Sequence, residues 1–428
     1  MKILQNRFAF MNANLRVLTV RLALGMFCRS MVLPYFSLYI LAVGGDTAQI
    51  GLVNSLRPLA GLLIFPISGY LTDRTGRVKL IAVAGYLSAL TTLLYIFAPS
   101  WEWIAFGALL QGFMVFQFPP ISAIQADSMD LENRGMGIAT MNTLANAFAI
   151  FSPYIAGILL ERYAIGLGMR LLYALLALSQ AINATLVLKY LRETVVIEKT
   201  NTTHNIRAIL KEAYGGIPDL IRSMSQSIKA LGLLIGMALI AIGIAGPFWV
   251  VYVTEVIGLT SIDWGIILLF EAVLRTTLAI PCGMIADRYS RTTTLVAAVS
   301  LTLIFFPSLI LAKTFIHVLV IRLGIGLAGA LFIPSSTALL ADSIPRDLRG
   351  RMMAAIGRGQ VLVGSVGGGT GGPGMGYLFT IPVMVASVVG GLLYSLNPMY
   401  PWLCILGTTI IQFISVILFI RDPHTAER

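Results

Sequence analysis

The sequence predicts an all-α membrane protein whose twelve helices form two similar halves. Of the 428 residues, 57% are hydrophobic and only 11% are charged, whereas an ordinary soluble domain is about 25% charged. Apolar stretches of about 20 residues recur along the chain, and each is long enough to cross a hydrocarbon core of roughly 30 Å. A short basic sequence also occurs twice, half a chain apart, which indicates an internal duplication.

The predicted spans are the apolar stretches, and most of them end at charged residues, glycine or proline. In chain order they cover residues 17–41, 48–72, 78–98, 102–126, 136–160, 171–190, 230–257, 264–286, 293–312, 315–341, 374–396 and 400–420.

The limits of the eleventh span stay open. Residues 352–394 contain no clear break except the glycine- and proline-rich run 367–376. One helix through all of them would be about 65 Å long, roughly twice the bilayer. Either 352–363 forms a cytoplasmic surface helix before the true span, or the span is broken at membrane depth. The first alternative is favoured because it leaves no backbone polar group unsatisfied in lipid.

Basic residues lie mainly on one side of the predicted spans. Of the 30 lysines and arginines, 20 fall in the two termini and in the loops after spans 2, 4, 6, 8 and 10. By the positive-inside rule, both termini are expected in the cytoplasm. Charge density rises at 191–229, which is the expected cytoplasmic linker and contains an amphipathic segment. This linker divides an N-terminal six-helix bundle at 1–190 from a C-terminal one at 230–428.

The duplicated sequence is the strongest motif in the chain. Residues 69–77 read GYLTDRTGR, and residues 283–291 read GMIADRYSR, 214 positions later. Asp127-Ser128 and Asp342-Ser343 repeat with nearly the same shift. In an apolar chain, internal repeats of this kind are typical of secondary transporters.

The pattern G-x-L-x-D-R-x-G-R in the first copy resembles the loop signature between the second and third helices of the major facilitator superfamily. The resemblance covers essentially the whole chain and implies twelve transmembrane helices in two pseudo-symmetric six-helix bundles. It also implies that the aspartate and the following arginine form a charge network that locks the bundles on the cytoplasmic side. The gate residues implied in this way are Gly69, Asp73, Arg74, Gly76, Arg77, Gly283, Asp287, Arg288 and Arg291.

Two incomplete signatures place the chain nearest to the drug/proton antiporter branch of that family. Residues 152–157, SPYIAG, are similar to G-P-x-x-G-G, with serine and alanine at two glycine positions. Gln111-Gly112 resembles the end of R-x-x-Q-G, but Ala108 stands where that branch carries an arginine associated with proton coupling.

Charged residues inside the spans are candidates for the solute site, because each costs roughly 2.5–3.5 kcal/mol at the bilayer centre. Glu271 and Arg275 lie one turn apart and can pair, and Glu271 is the proton-coupling candidate. Arg29 and Arg57 then lack an intramembrane carboxylate, which favours an anionic group on the solute. The alternative is that they bond to helix carbonyls or lipid headgroups. Three other charged residues lie near span ends and are expected to reach the interface: Arg21, Arg322 and Glu255.

Further candidates come from aromatic and amide side chains on the spans that line the cavity in this family. The complete set of substrate-binding candidates is Arg29, Arg57, Tyr35, Gln111, Gln117, Trp249, Tyr252 and Arg275.

Other functions find no support in the sequence. The three cysteines and three histidines form no metal-ligand pattern. The series Gly324-x-Gly326-x-x-Gly329 lies inside an apolar stretch with no preceding strand, so it indicates close helix packing rather than a dinucleotide site. The net charge of +11 reflects the topology, because no basic patch carries the aromatic residues that nucleic-acid stacking needs. No cofactor is expected.

The sequence therefore predicts a secondary active transporter, not an enzyme, that works as a monomer in the lipid bilayer by alternating access. A small organic solute, anionic if the arginines bind it, is the expected substrate, with coupling to protons or to a counter-solute. Multidrug/proton efflux is the alternative within this class. A membrane solute sensor is the alternative from a different class.

Overall fold

The computed structural model describes residues 12–72, 76–130, 134–194, 217–344, 352, 355–356 and 376–420. Every regular element in this part of the chain is helical. The membrane helices, numbered in chain order, are α1 (Ala13–Ala42), α2 (Thr47–Thr72), α3 (Arg77–Ile96), α4 (Trp101–Asp127), α5 (134–163), α6 (165–190), α7 (Gln226–Val256), α8 (Ser261–Arg288), α9 (Arg291–Leu311), α10 (Phe315–Ser343), α11 (Tyr377–Leu396) and α12 (Tyr400–Phe419).

Ten continuous stretches of the described chain are long and apolar enough to cross a membrane. One of them, Gly135–Tyr190, has 56 residues and would be about 84 Å long as a single helix. It breaks at Ala164, whose φ of 57° lies in the left-handed region, so it contains the two spans α5 and α6. With the 26-residue α2, the described chain has a helix at each of the twelve predicted spans.

The turn between α5 and α6 corrects the expectation of a loop at 161–170. The chain folds back at Ala164, and a Cβ atom on Gly168 would lie only 3.2 Å from the Cα atom of Leu160. The missing side chain at Gly168 therefore lets the two helices approach immediately after the turn. Arg162 and Arg170, which the sequence places in this loop, belong to the helix ends instead.

The linker and the eleventh span are described only in part. A short helix, Ile217–Ser223, occupies the predicted amphipathic segment. α7 begins at Gln226, slightly before the expected boundary, because the Ser225 hydroxyl caps it by accepting the Ile228 N–H at 3.3 Å. Residues 195–216 lie outside the described residues. So do 357–375, which include most of the glycine-rich run, and the two alternatives for the eleventh span both stay open.

Helix packing repeats between the two halves of the chain. A Cβ atom on Gly112 of α4 would lie 2.5 Å from the carbonyl oxygen of Arg57 on α2. In the second half, a Cβ atom on Gly326 of α10 would lie 3.0 Å from Cγ of Glu271 on α8. Both members of the second pair follow their counterparts by 214 positions. The duplication seen in the sequence therefore corresponds to one helix contact that is built twice.

The two halves meet near one face of the helix bundle. We call the side on which α1 begins and α12 ends the terminal face, and the other side the distal face. Near the distal face, a Cβ atom on Gly51 of α2 would lie 2.3 Å from the Ser387 carbonyl oxygen of α11. A Cβ atom on Gly157 of α5 would lie 2.5 Å from the Ser261 carbonyl oxygen of α8. Glycine thus allows backbone-to-backbone contact between the halves at both places.

Candidate functional site

A buried ion pair joins α8 and α10 in the second half. Arg322 Nε donates a hydrogen bond to Glu271 Oε2 at 2.8 Å, and a second guanidinium nitrogen contacts the same oxygen. The side chains are 0% and 6% exposed. Two expectations are therefore wrong: Arg322 does not reach the interface, and Glu271 pairs with Arg322 of the adjacent helix rather than with Arg275. Arg322 lies about two turns inside α10, where packed side chains rather than headgroups surround it.

Aromatic rings cover the Arg322 guanidinium. Its Cζ atom lies 4.6 Å from the ring centroid of Trp249 and 5.5 Å from that of Trp264, within the range of cation–π attraction. Trp249 also contacts Trp402, with ring centroids 4.8 Å apart, and Trp402 in turn contacts Tyr252. Trp249 and Tyr252 are each only 1% exposed. These two predicted binding residues therefore lie in the packed interior of the second half.

Small residues on α10 make room for the ion pair. Gly326 leaves space for the Glu271 side chain, and Gly324 leaves space for the ring of Phe305, which a Cβ atom there would approach to 2.4 Å. The close-packing interpretation of this glycine series agrees with these contacts. Sequence reasoning missed Arg322, although it stands 214 positions after Ala108, where the antiporter signature expects an arginine. The repeat shift was the signal that could have identified it.

In the first half, Arg57 stands at the repeat position that corresponds to Glu271. Its Cζ atom lies 5.5 Å from the ring centroid of Phe36. Tyr95 and Tyr173 lie close enough to interact with its charge, and their stacked rings have centroids 4.6 Å apart. The buried Arg57 Nε atom and the two tyrosine hydroxyls have no hydrogen-bond partner of good geometry in the described chain. Among the residues that the structure describes, this cluster is therefore rich in buried polar atoms without a well-formed hydrogen bond.

Arg29 is exposed although it lies at mid-depth. It is about 24 Å from the start of α1, a helix about 45 Å long. Arg57 lies near enough for the two positive charges to act on each other. Arg275, at a comparable depth in α8, is half-buried and within electrostatic range of Arg322. The structure thus brings together Arg29 and Arg57, while Arg275 belongs to the second half.

The two glutamine candidates contact neighbouring helices. Gln111 Nε2 donates to the backbone carbonyl of Ser88 and to the hydroxyls of Thr91 and Thr92, at 2.9–3.2 Å. Gln117 Oε1 accepts a hydrogen bond from Arg21 at 2.5 Å. Arg21 therefore binds α4 rather than reaching the interface as expected. Both amides join helices of the first half to one another.

Tyr35 lies where the two halves meet, and it is fully buried. Its hydroxyl oxygen is 2.8 Å from the Pro153 carbonyl oxygen of α5 and 3.0 Å from the Ser261 carbonyl oxygen of α8. Its single proton is therefore shared between one acceptor from each half. In this conformation Tyr35 closes the distal face and has no surface free for a solute.

The repeated loops carry matching ion pairs on the terminal face. Arg77 at the start of α3 pairs with Asp127 at the end of α4, and Arg291 of α9 pairs with Asp342 of α10 in the same way. Each pair joins helices within one half. Arg77 also donates to the hydroxyl of Thr194, the last described residue before the gap in the linker, at 2.9 Å.

The remaining gate candidates are described unevenly. Gly76 has a φ of 77° and permits the turn before α3, whereas Ser290 at the equivalent place caps α9 with its hydroxyl. Asp287 and Arg288 are exposed, and a Cβ atom on Gly283 would meet open space. Asp73 and Arg74 lie outside the described residues, and Gly69 is described only as part of α2. The gate role stays a prediction.

No group of three or more histidine, cysteine, aspartate or glutamate side chains in the described chain could hold a metal ion.

The family sequence model of the Major Facilitator Superfamily matches residues 20–218 and 231–428. The chain belongs to this superfamily. It is therefore a multi-pass membrane transporter with the all-α fold predicted from the sequence, and not an enzyme.

Curated relatives of this superfamily member include several efflux pumps. The multi-drug resistance efflux pump PmrA homolog of Lactococcus lactis subsp. lactis is 25% identical over 335 residues, 76% of this chain and 79% of that protein. Multidrug resistance protein MdtG of Salmonella arizonae is 24% identical over 336 residues, with the same coverage. The PmrA pump of Streptococcus pneumoniae serotype 4 is 26% identical over 192 residues, 43% of this chain and 47% of that protein.

Solved structures of other transporters share the fold. Nucleoside transporter NupG superposes with a TM-score of 0.68 at 14% identity, over 96% of this chain and 98% of that one. A bacterial homolog of the human lysosomal transporter Spinster, in an inward-facing and unoccupied conformation, also gives 0.68, at 13% identity, over 97% of this chain and 99% of that one. At these identities the likeness concerns the fold alone.

Proposed function

We propose that this chain exports amphipathic organic solutes by alternating access, driven by a proton gradient. Relatives that align with about three quarters of the chain are named as multidrug efflux pumps. The antiporter-like segment 152–157 in α5 points the same way. Efflux, the alternative of the sequence analysis, thereby becomes the preferred function within the transporter class.

The proposal depends on two observations: the distal face is closed, and Arg29, about halfway along α1, is exposed. Near the distal face, Gly51 and Gly157 allow the backbones of the two halves to touch, and the Tyr35 hydroxyl lies within hydrogen-bond distance of a carbonyl oxygen in each half. Arg29 is nevertheless exposed about halfway along α1. A guanidinium facing hydrocarbon at this depth would be costly, so Arg29 is better explained by a water-filled cavity that opens to the terminal face.

The opening corresponds to the state in which an exporter loads its solute, and export rather than import is proposed from the relatives. If both termini are cytoplasmic, as the distribution of basic residues predicts, the cavity opens to the cytoplasm and can take up solute from there. Closing the terminal face and separating the distal contacts would then release the solute outside. The duplicated loops, with Asp73 and Asp287, are the proposed gate on the terminal face.

Glu271 remains the proposed proton-coupling group, with Arg322 in place of Arg275 as its partner. The pair joins α8 to α10, so a shift of α10 against α8 would separate it. The released carboxylate could take up a proton and lose it again when the pair forms on the other side of the cycle. The solute and proton fluxes would be linked through this helix contact.

Transport by the purified full chain in proteoliposomes tests the proposal. We expect an imposed pH gradient to drive uptake of amphipathic dyes into vesicles whose transporters have the terminal face outward. The double variant Glu271→Gln with Arg322→Met, which leaves no buried charge unpaired, should abolish the gradient dependence, whereas Glu255→Gln, at an exposed acid of α7, should leave it intact. Gradient-driven movement of small hydrophilic solutes, with no movement of any amphipathic dye, would refute the proposed solute class.

A further inference from the structure

The internal repeat relates two clusters of side chains, one in each half of the chain. Arg57 of α2 corresponds to Glu271 of α8, and Ala108 of α4 corresponds to Arg322 of α10, both at a shift of 214. The glycine contacts at Gly112 and Gly326 place these residues in the same packing environment. The two halves therefore hold different charges in equivalent positions.

In the second half the charge of Arg322 is compensated by Glu271. The first half carries the cation of Arg57 but has only the methyl group of Ala108 where the partner would stand. Arg57 makes no ion pair within the described chain. Arg29 adds a second positive charge nearby. Among the described residues, the first cluster thus holds two arginines and no carboxylate, whereas the second holds one carboxylate for its two arginines, Arg322 and Arg275.

The surrounding polar groups are poorly satisfied by the protein residues that the structure describes. The hydroxyls of Tyr95 and Tyr173 and the Nε atom of Arg57 are buried and make no hydrogen bond of good geometry there, although the Tyr95 hydroxyl lies close enough to Arg57 to interact with its guanidinium. Both tyrosine side chains are about 99% buried, and both interact electrostatically with Arg57. Buried polar groups are rarely left unsatisfied, since each costs about 1–3 kcal/mol. A water molecule could satisfy the hydroxyls but would not compensate the positive charge.

We propose that the first half binds one compact anionic group at Arg57, Tyr95 and Tyr173, next to Arg29. The anion takes the place that a carboxylate would hold in an internal ion pair, and two hydroxyls and a guanidinium donate to it. It is either a free halide or the carboxylate or phosphonate of a transported solute. The anion site does not depend on the exporter function, because anion binding can be measured in the purified protein without transport.

The test measures the thermal stability of the purified full chain while sodium chloride replaces sodium methanesulfonate, which carries no carboxylate, at constant ionic strength. Benzoate and phenylphosphonate are titrated in parallel. We expect saturable stabilisation of the wild type by at least one of these anions. Tyr95→Phe, which removes one donor and keeps the ring, should weaken the affinity about tenfold or more, and Arg57→Gln should abolish the response. The matched controls Tyr163→Phe and Arg162→Gln, at the distal end of α5, should respond like the wild type.

A variant that compensates the charge of Arg57 within the protein completes the test. Ala108→Glu supplies the missing carboxylate, so it should be stable without added anion and should no longer respond to one. Saturation by chloride alone would identify a halide site, and saturation by the organic anions with weak chloride binding would identify a solute subsite. A wild type that responds to no anion, or an undiminished response in Arg57→Gln and Tyr95→Phe, would overturn the proposal. Failure of dye transport would leave these binding results unchanged and would count only against the exporter function.

Discussion

Glu271→Gln is expected to destabilise the protein strongly, because it leaves the Arg322 guanidinium buried without its counter-charge. Both side chains lie in the packed interior, and a buried arginine cannot lose its proton to become neutral. Removing one partner of such a pair typically costs about 3–5 kcal/mol. The shape of the side chain is preserved, so little of this loss would come from packing. The expected effect is therefore electrostatic.

The double variant Glu271→Gln with Arg322→Met removes both charges at nearly constant volume. Replacement of a whole buried pair by uncharged groups is often neutral or stabilising. The double variant should therefore recover the electrostatic loss, and this gain is partly offset because the cation–π contacts with Trp249 and Trp264, worth about 2 kcal/mol each when desolvated, are lost as well. A coupling free energy of about 2–4 kcal/mol is expected from the complete cycle.

The assay is reversible unfolding in mixed micelles with increasing sodium dodecyl sulfate, followed by tryptophan fluorescence. Trp249 and Trp264 report directly on the region, since they contact the Arg322 guanidinium. Glu255→Gln is the matched control, and it should stay within about 0.5 kcal/mol of wild type because its side chain is exposed. A single variant as stable as wild type, or losses that simply add in the double variant, would refute the reasoning.

Three further predictions concern the two faces of the bundle. Asp73→Asn should leave folding and insertion intact but slow dye transport, because it removes a charge and little packing from the proposed gate; rates in proteoliposomes measure this. Gly51→Ala should favour opening of the distal face by about 1–3 kcal/mol, because its Cβ atom would lie 2.3 Å from a carbonyl oxygen of α11; labelling of a cysteine introduced near that contact should accelerate. Tyr35→Phe should act in the same direction by about 1 kcal/mol, since it loses a hydrogen bond shared between the halves.

Each of these predictions has a control of the same residue type. Asp130→Asn changes an exposed acid near the terminal face and should not slow transport. Gly407→Ala adds a Cβ atom that meets nothing within 4 Å, and Tyr400→Phe changes an exposed ring, so neither should alter labelling. Normal transport by Asp73→Asn would exclude the gate role, and unchanged labelling in Gly51→Ala would show that the distal contact does not limit opening.

The fold was predictable from the sequence because its determinants are local. Apolar stretches set the spans and their number, and the repeat at a shift of 214 announced two similar halves. The chief error in the spans, at 161–170, arose because charged residues suggested a loop where a single left-handed residue, Ala164, is enough to reverse the chain.

The site was predictable only as a set of residue types. Distance along the chain cannot show helix rotation, so Glu271 was paired with its neighbour on the same helix instead of with Arg322 on the next one. Trp249 and Tyr252 were expected at the cavity for the same reason, although they lie inside the second half. The repeat aligns Arg322 with Ala108, which the sequence places inside the fourth span. This alignment would have predicted that Arg322 lies inside the membrane rather than at the interface.

The two faces of the bundle should differ in their sensitivity to salt. The distal contacts at Gly51 and Gly157 are formed by uncharged backbone atoms, which ionic strength hardly affects. The terminal face carries exposed charges, among them the gate candidates Asp287 and Arg288, and mobile ions weaken the interactions of such charges as the salt concentration rises. Raising the salt concentration should therefore change the kinetics of the half-cycle governed by the terminal face and leave the other half-cycle almost constant.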